Sequence, residues 1–75
     1  MTSIYSEQYQ LIIHALKEAR IKQNMTQAKL AQALNHPQSF IAKVENGERR
    51  LDVVEFVYIA RLLSLNPETV IKKIK

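Results

Sequence analysis

The sequence predicts an all-α fold, a compact five-helix bundle in a single domain that spans residues 1–75. One glycine and two prolines stand in a chain rich in leucine, isoleucine, alanine, lysine and glutamine, which favours helices. Apolar residues make up 47% of the chain, the share found in ordinary globular proteins. They recur three and four positions apart, which is the spacing of one face of a helix. A chain of this length has room for one hydrophobic core.

The first two helices are placed by their apolar stripes and their end residues. We expect helix one over about residues 6–22, and Asn24 can end it in the left-handed conformation that glycine usually supplies. Helix two is expected over residues 27–34, with the Thr26 hydroxyl as its N-terminal cap. The inward stripe of helix one holds Tyr9, Ile12, Ile13 and Leu16.

The third helix is expected over residues 37–45. Pro37 suits its first helical position, because the N–H that proline lacks would have no partner there. Gly47 is the only glycine of the chain, and we expect it to end this helix in the left-handed region.

Helices four and five begin at side chains that cap helices well. Asp52, with Glu55 three residues later, predicts a capping box at the start of helix four, which we expect over about residues 52–64. Asn66, followed by proline and glutamate, predicts the start of a short fifth helix that runs through residue 74.

Helix four carries more apolar residues than one core face needs. Its inward stripe holds Phe56, Ile59, Ala60 and Leu63. A second stripe, on another side of the helix, holds Val54, Tyr58 and Leu62. Two interpretations stay open. Either helix five covers the second stripe, or the stripe forms a symmetric dimer contact, since exposed apolar patches on small domains tend to mark interfaces.

Residues 26–47 hold two short amphipathic segments joined by a tight polar turn at residues 35–37. The second segment turns Ile41 and Val44 inward and leaves outward the polar residues Gln38, Ser39 and Lys43. Two helices that meet at a short turn, with amide, hydroxyl and ammonium groups on the second, suit contact with base edges in the major groove. The pattern predicts a helix-turn-helix that reads duplex DNA.

The same residues resemble the phage repressor and Cro family of helix-turn-helix proteins, the XRE family. The resemblance implies the lambda-repressor-like fold and covers about residues 16–65. In chain order its elements are Leu16, Arg20, Thr26-Gln27, Leu30-Ala31, Ile41, Val44, Glu45-Asn46-Gly47, Ile59-Ala60 and Leu63. The chain departs from the family at Asn35, where a glycine is usual. Asparagine is the non-glycine residue that best tolerates a positive φ, so we expect the turn to form. The departure bears on the angle of helix three and not on the fold.

The resemblance also implies a set of DNA-contacting residues. It places a base-reading side chain at Gln38, whose amide can bond N6 and N7 of adenine together. Ser39 can reach a base or a phosphate, and Lys43 can donate either to guanine or to a phosphate. Phe40 is expected to be partly buried, with one edge toward the groove. Phosphate contacts are expected from Gln27, Asn46, Arg49 and Arg50.

Arg20 and Glu45 are assigned to structure. The family pairs an arginine at the end of helix one with the glutamate that closes helix three, which implies an ion pair that locks the recognition helix to the scaffold. The net charge of +4 permits a polyanionic partner without requiring one. We therefore expect a transcriptional regulator, by family precedent a repressor, that binds a palindromic operator on double-stranded DNA as a homodimer with helix 37–45 in the major groove.

Other classes of protein fit the sequence less well. The chain has no cysteine, and His14 and His36 lie on different elements, so we expect neither a metal site nor a cofactor. No nucleophile stands with a base at a recognisable spacing, so we expect neither an enzyme nor a small-molecule site. No apolar run approaches the roughly 20 residues that span a bilayer, and the N-terminus lacks a signal-peptide pattern, which predicts a cytoplasmic protein.

Two alternative functions stay open. An antitoxin-like or other protein-interaction module would grip a partner protein through helix 52–64 and should tolerate changes at Gln38 and Lys43. A structural helical domain that has lost DNA binding would show negligible, salt-insensitive affinity for DNA.

Overall fold

The computed structural model describes residues 6–74 of the chain, which form helices and no strand. Five α-helices are followed by a short 3₁₀ turn, and the predicted all-α helix-turn-helix fold is confirmed. The fifth helix is shorter than predicted, because the chain tightens into 3₁₀ geometry after Ile71. The elements are α1 (Glu7–Lys22), α2 (Gln27–Ala33), α3 (Gln38–Glu45), α4 (Val53–Leu62), α5 (Pro67–Ile71) and the 3₁₀ turn Lys72–Ile74.

The predicted caps of α2, α4 and α5 are present. The Thr26 hydroxyl accepts from a backbone N–H three residues on at 3.0 Å, and the Asn66 side chain accepts at 2.9 Å from the N–H two residues on. Asp52 and Glu55 form the predicted capping box, in which each side chain accepts from the other residue's backbone N–H, at 2.7 and 3.0 Å. These contacts satisfy donors that a helix start otherwise leaves without partners.

The start of α3 differs from the prediction. Pro37 is the N-terminal cap residue and not the first helical residue, because its ψ of 155° is extended and only its carbonyl oxygen joins the helix, accepting from the Phe40 N–H at 3.0 Å. Proline has a φ that fits both roles, so ψ decides between them. Since the proline ring offers no acceptor, α3 begins without a side-chain cap.

Left-handed residues end three of the helices and shape the motif turn. Asn24, Asn35 and Gly47 have φ values of 56°, 63° and 77°, as the sequence predicts. Ser64, with a φ of 58°, is a left-handed residue that the sequence does not predict. It follows α4, which ends at Leu62, two residues before the expected boundary. A residue with a side chain is strained in the left-handed region, and asparagine tolerates this strain better than most residues. The turn between α2 and α3 therefore forms without the usual glycine.

The core is built from one face of each helix. The inward stripe predicted for α4 is buried throughout, and the α1 stripe places Ile13 and Leu16 in the core with Tyr9 and Ile12 at its edge. The other buried apolar residues are Ala19, Leu30, Ala31, Phe40, Ile41, Val44 and Val70. No helix within residues 6–74 is long and apolar enough to cross a membrane.

The second stripe of α4 is not covered. Val54, Tyr58 and Leu62 remain 58%, 57% and 39% exposed, so the interpretation that helix five covers them is wrong. The physical reason is the length and direction of α5. Its five residues send Val70 into the core, and the helix with its 3₁₀ turn packs on α1 as well as on α4. We call Val54, Tyr58 and Leu62 the outer stripe of α4.

Candidate nucleic-acid interface

The helix-turn-helix presents one polar face of α3 to solvent. Packing of α2 against α3 buries Ile41 and Val44 on the inner side. Gln38, Ser39 and Lys43, all assigned to base reading, are exposed on the outer side. The structure thus leaves these three side chains accessible on a short helix.

Phe40 is buried more deeply than the partial burial expected from the sequence. It is 7% exposed, with the His36 ring stacked on one face at a centroid distance of 4.2 Å and an interplanar angle of 16°. The guanidinium carbon of Arg49 lies over the ring at 4.6 Å from its centroid. This burial leaves little ring surface for a base, and the groove contact of Phe40 stays a prediction.

A buried ion pair fastens the end of α3 to α1. Arg20 Nε and Nη2 donate to the two carboxylate oxygens of Glu45 at 2.6 and 3.0 Å, and the two side chains are only 11% and 6% exposed. Arg20 Nη1 also donates to the Met25 carbonyl oxygen at 2.7 Å. Such a bidentate, charge-assisted contact fixes both the position and the orientation of the two side chains. The recognition helix is thereby held at its C-terminal end.

Gln27 joins the same cluster. Its side-chain amide donates to Oε1 of Glu45 at 2.9 Å, and the residue is half-buried. The sequence assigned Gln27 to a phosphate, and its pairing with Glu45 was missed because the two residues are 18 positions apart and no local spacing connects them. An amide nitrogen carries two hydrogens, so one remains for a second acceptor.

The turn after α3 holds the other residues assigned to phosphates. Asn46 caps the end of α3 and is exposed, as are Arg49 and Arg50. Arg49, however, already donates to both carboxylate oxygens of Glu55, at 3.2 and 3.3 Å, and to the Arg50 carbonyl oxygen at 3.1 Å. The structure therefore places these three residues together in one turn, with the Arg49 guanidinium held against its own chain.

The pKa of Glu55 lies below its ordinary value. The hydrogen bond from the Asp52 backbone N–H lowers the pKa of Glu55 below 4.5, and desolvation by the surrounding protein opposes that effect. The hydrogen bond and positive charge of Arg49 lower it further. An ionised carboxylate is thus maintained at the junction of the turn with α4.

Tyr9 has a polar role that the sequence pattern does not reveal. Its hydroxyl accepts from the Leu51 N–H at 3.0 Å and donates to the Arg49 carbonyl oxygen at 3.4 Å. The apolar spacing of α1 predicted only that the ring faces inward. Its hydroxyl ties α1 to the turn that follows α3, which limits the movement of that turn.

Fold and surface together define a helix-turn-helix protein with an anchored, exposed recognition helix. The helix-turn-helix family model matches residues 16–70, and the chain belongs to this family. A solved structure described as an XRE-family like protein from Pseudomonas syringae pv. tomato str. DC3000 shares 43% identity, with a TM-score of 0.83 over 89% of this chain and 82% of that one. The protein is an XRE-family DNA-binding transcription regulator. No curated protein sequence matches the chain.

Proposed function

We propose that this regulator is a repressor that binds a palindromic operator as a homodimer and places α3 in the major groove of each half-site. The observation that carries the proposal is the exposed polar face of α3 on a helix whose far end is locked by the Arg20–Glu45 pair. A helix that reads bases must present its side chains in a fixed position, and the ion pair supplies that position.

The chemistry of the exposed face suits base edges. Gln38 lies in the first turn of α3, where its amide can donate to N7 and accept from N6 of adenine. Lys43, one turn further on, can donate to O6 and N7 of guanine or to a phosphate. Ser39 adds a hydroxyl that discriminates poorly between bases. We assign the main sequence preference to Gln38.

Contacts to the DNA backbone come from the two ends of the motif. We assign phosphate contacts to Gln27 at the start of α2 and to Asn46 and Arg50 beyond the end of α3. The net charge of +4 favours approach to a polyanion and makes the affinity depend on salt. Such contacts set the position of the domain on the duplex and leave the choice of sequence to α3.

The outer stripe of α4 is the surface we assign to dimerisation. Its three apolar side chains lie exposed along one side of the helix, and a twofold axis through this side would pair each stripe with itself. Two recognition helices would then meet half-sites about 34 Å apart on one side of the DNA. An operator occupied in this way, where it overlaps a promoter, excludes polymerase, which is the simplest route to repression for a cytoplasmic protein at the nucleoid.

Selection of bound sites from a random duplex library tests the proposal. Wild type and Gln38→Ala are compared, with Gln32→Ala as the matched control because Gln32 is exposed on α2. We expect a palindromic consensus that loses information at one position of each half-site in Gln38→Ala alone. Absence of any enriched site at low salt, where phosphate contacts are strongest, would refute DNA reading.

A protein-interaction module is the second candidate, and the uncovered outer stripe of α4 favours it. An antitoxin-like subunit would bind a partner through this helix. Its binding would survive changes at Gln38 and Lys43 and fail when Tyr58 is changed. Because Tyr58 also belongs to the proposed dimer surface, the two candidates separate at Gln38 and Lys43: variants at these positions should impair DNA reading and leave partner binding intact.

A further inference from the structure

The recognition helix begins differently from every other α-helix in residues 6–74. Side chains cap the starts of α1, α2, α4 and α5, from Ser6, Thr26, Asp52 and Asn66. At α3, Pro37 supplies no side-chain cap. The helix end that carries Gln38 and Ser39 therefore lacks the local device that keeps a first turn from fraying.

A stack of side chains lies at this uncapped end. Phe40 is the third residue of α3, and its ring contacts both the stacked His36 ring and the Arg49 guanidinium. Arg49 continues the stack by pairing with both oxygens of Glu55. Stacked rings and a cation over a ring each add attraction beyond simple burial. The first turn of α3 is thus linked, through Phe40, Arg49 and Glu55, to the start of α4.

The far end of this stack is itself held in place. Glu55 belongs to the capping box with Asp52, which fixes the first turn of α4. On the other side, the Tyr9 hydroxyl contacts both the Arg49 carbonyl oxygen and the Leu51 N–H, so the backbone that carries Arg49 is tied to α1. The Arg49 side chain is held by the Glu55 carboxylate and its backbone by the Tyr9 hydroxyl, so the guanidinium can act as a fixed support for the Phe40 ring.

We propose that Phe40 and Arg49 are positioning residues, and that their stack replaces the missing cap and sets the orientation of the α3 turn that carries Gln38 and Ser39. Arg49 acts through Phe40 and does not bind phosphate. The proposal rests on the proposed function for its effect on DNA. Its effect on the first turn of α3 holds without DNA.

The shape of arginine is central to this role. A lysine at position 49 would keep the positive charge that a phosphate requires, but it has no planar fork to pair with two carboxylate oxygens while lying over a ring. Arg49→Lys therefore separates the two roles. A phosphate contact would largely survive the change, whereas a stacked support would not.

The DNA test compares binding of the selected duplex at several salt concentrations. We expect Phe40→Leu and Arg49→Lys each to weaken binding about fivefold to tenfold. The slope of log affinity against log salt should remain that of wild type for both, and for Arg49→Gln as well. Arg50→Gln is the matched control, and loss of its phosphate contact should reduce the slope by about one. A slope reduced by about one in Arg49→Gln, with Arg49→Lys binding like wild type, would overturn the proposal.

Site selection supplies a readout that general loss of stability would not move. With folding verified by circular dichroism, Phe40→Leu and Arg49→Lys should blur the consensus at the position read by Gln38 and leave positions outside the reach of α3 unchanged. A consensus as sharp as that of wild type in both variants would contradict a positioning role.

Amide hydrogen exchange tests the positioning role in the free protein. Arg49→Lys should speed exchange of the Phe40 amide, which bonds the Pro37 carbonyl oxygen, and of its neighbours in the first turn of α3. Exchange in the second turn, held by Glu45, should not change. Unchanged exchange at Phe40 would refute the stack as a cap. If wild type bound no duplex at all, the proposed function would fail, and this measurement would still decide the role of the stack.

Discussion

The Arg20–Glu45 pair should be the strongest single polar coupling in the described part of the chain, and a double-mutant cycle measures it. Arg20→Met leaves a carboxylate that is 6% exposed with Gln27 as its remaining donor, and Glu45→Met leaves a guanidinium that is 11% exposed with the Met25 carbonyl oxygen. Removal of one partner of a buried pair costs about 3–5 kcal/mol, and we take about 3 because some solvent reaches the guanidinium.

The double variant should cost much less than the sum of the single variants. An apolar pair of similar volume removes both charges, so no lone ion remains buried. If each single variant costs about 3 kcal/mol and the double variant costs about as much as one of them, the coupling free energy is about 3 kcal/mol.

Equilibrium unfolding in urea, followed by the helical circular dichroism signal, gives the four free energies of unfolding. A domain of 75 residues has a total stability of about 4–11 kcal/mol, so a single variant sits close to its unfolding threshold. A fixed concentration of a stabilising osmolyte in all four samples keeps the folded baseline measurable.

The exposed pair Arg49–Glu55 is the matched control within the same chain. Its side chains are 42% and 22% exposed, and solvent screens such a pair to a coupling below about 1 kcal/mol. A coupling below about 1 kcal/mol for Arg20–Glu45 as well would refute the view that this pair locks α3 to the scaffold.

Three further outcomes are expected. The pKa of Glu55 is lowered from 4.5, so the stability due to its ionised form should be complete above about pH 4.5 and be lost as pH falls through the lower folded pKa. Glu55→Gln should remove this contribution when the free energy of unfolding is measured as a function of pH. A pH dependence equal to that of wild type would contradict the prediction. Tyr58→Lys should dissociate the proposed dimer in sedimentation equilibrium without unfolding the monomer, whereas Val53→Lys, on the same helix outside the outer stripe, should not; equal effects would argue against the proposed interface. Gly47→Ala should lower the free energy of unfolding by about 1–2 kcal/mol, because φ is 77° and the new Cβ would lie 3.3 Å from the Gln10 side-chain nitrogen. Urea midpoints equal to wild type would rule out that strain.

The features that the sequence predicts well are local. A cap needs one acceptor next to a helix start, and a left-handed helix end needs a residue that tolerates positive φ, so Thr26, Asn35 and Gly47 could be placed from their neighbours alone. The inward stripe of α4 follows equally from residue spacing. The exposed face of α3 follows from the same spacing, and resemblance to the family added the pairing of Arg20 with Glu45.

The features that the sequence does not predict join residues across the fold. Gln27 reaches Glu45 from another helix, and Arg49 reaches Phe40 and Glu55 across a turn whose path depends on Gly47. Spacing cannot specify these contacts, because a flexible polar side chain has many rotamers and only the packed structure selects one. The role of Pro37 was missed for a related reason, since its fixed φ leaves ψ to be set by the turn.

The division of α3 into a buried inner side and an exposed outer side separates selection for stability from selection on the surface side chains. Substitutions at Gln38, Ser39 and Lys43 alter surface side chains, and such changes usually shift stability by no more than about 0.5 kcal/mol. Under the proposed function, descendants of this sequence can therefore exchange these residues and acquire new operators without losing the fold. The same property makes the domain a scaffold onto which other reading residues can be grafted.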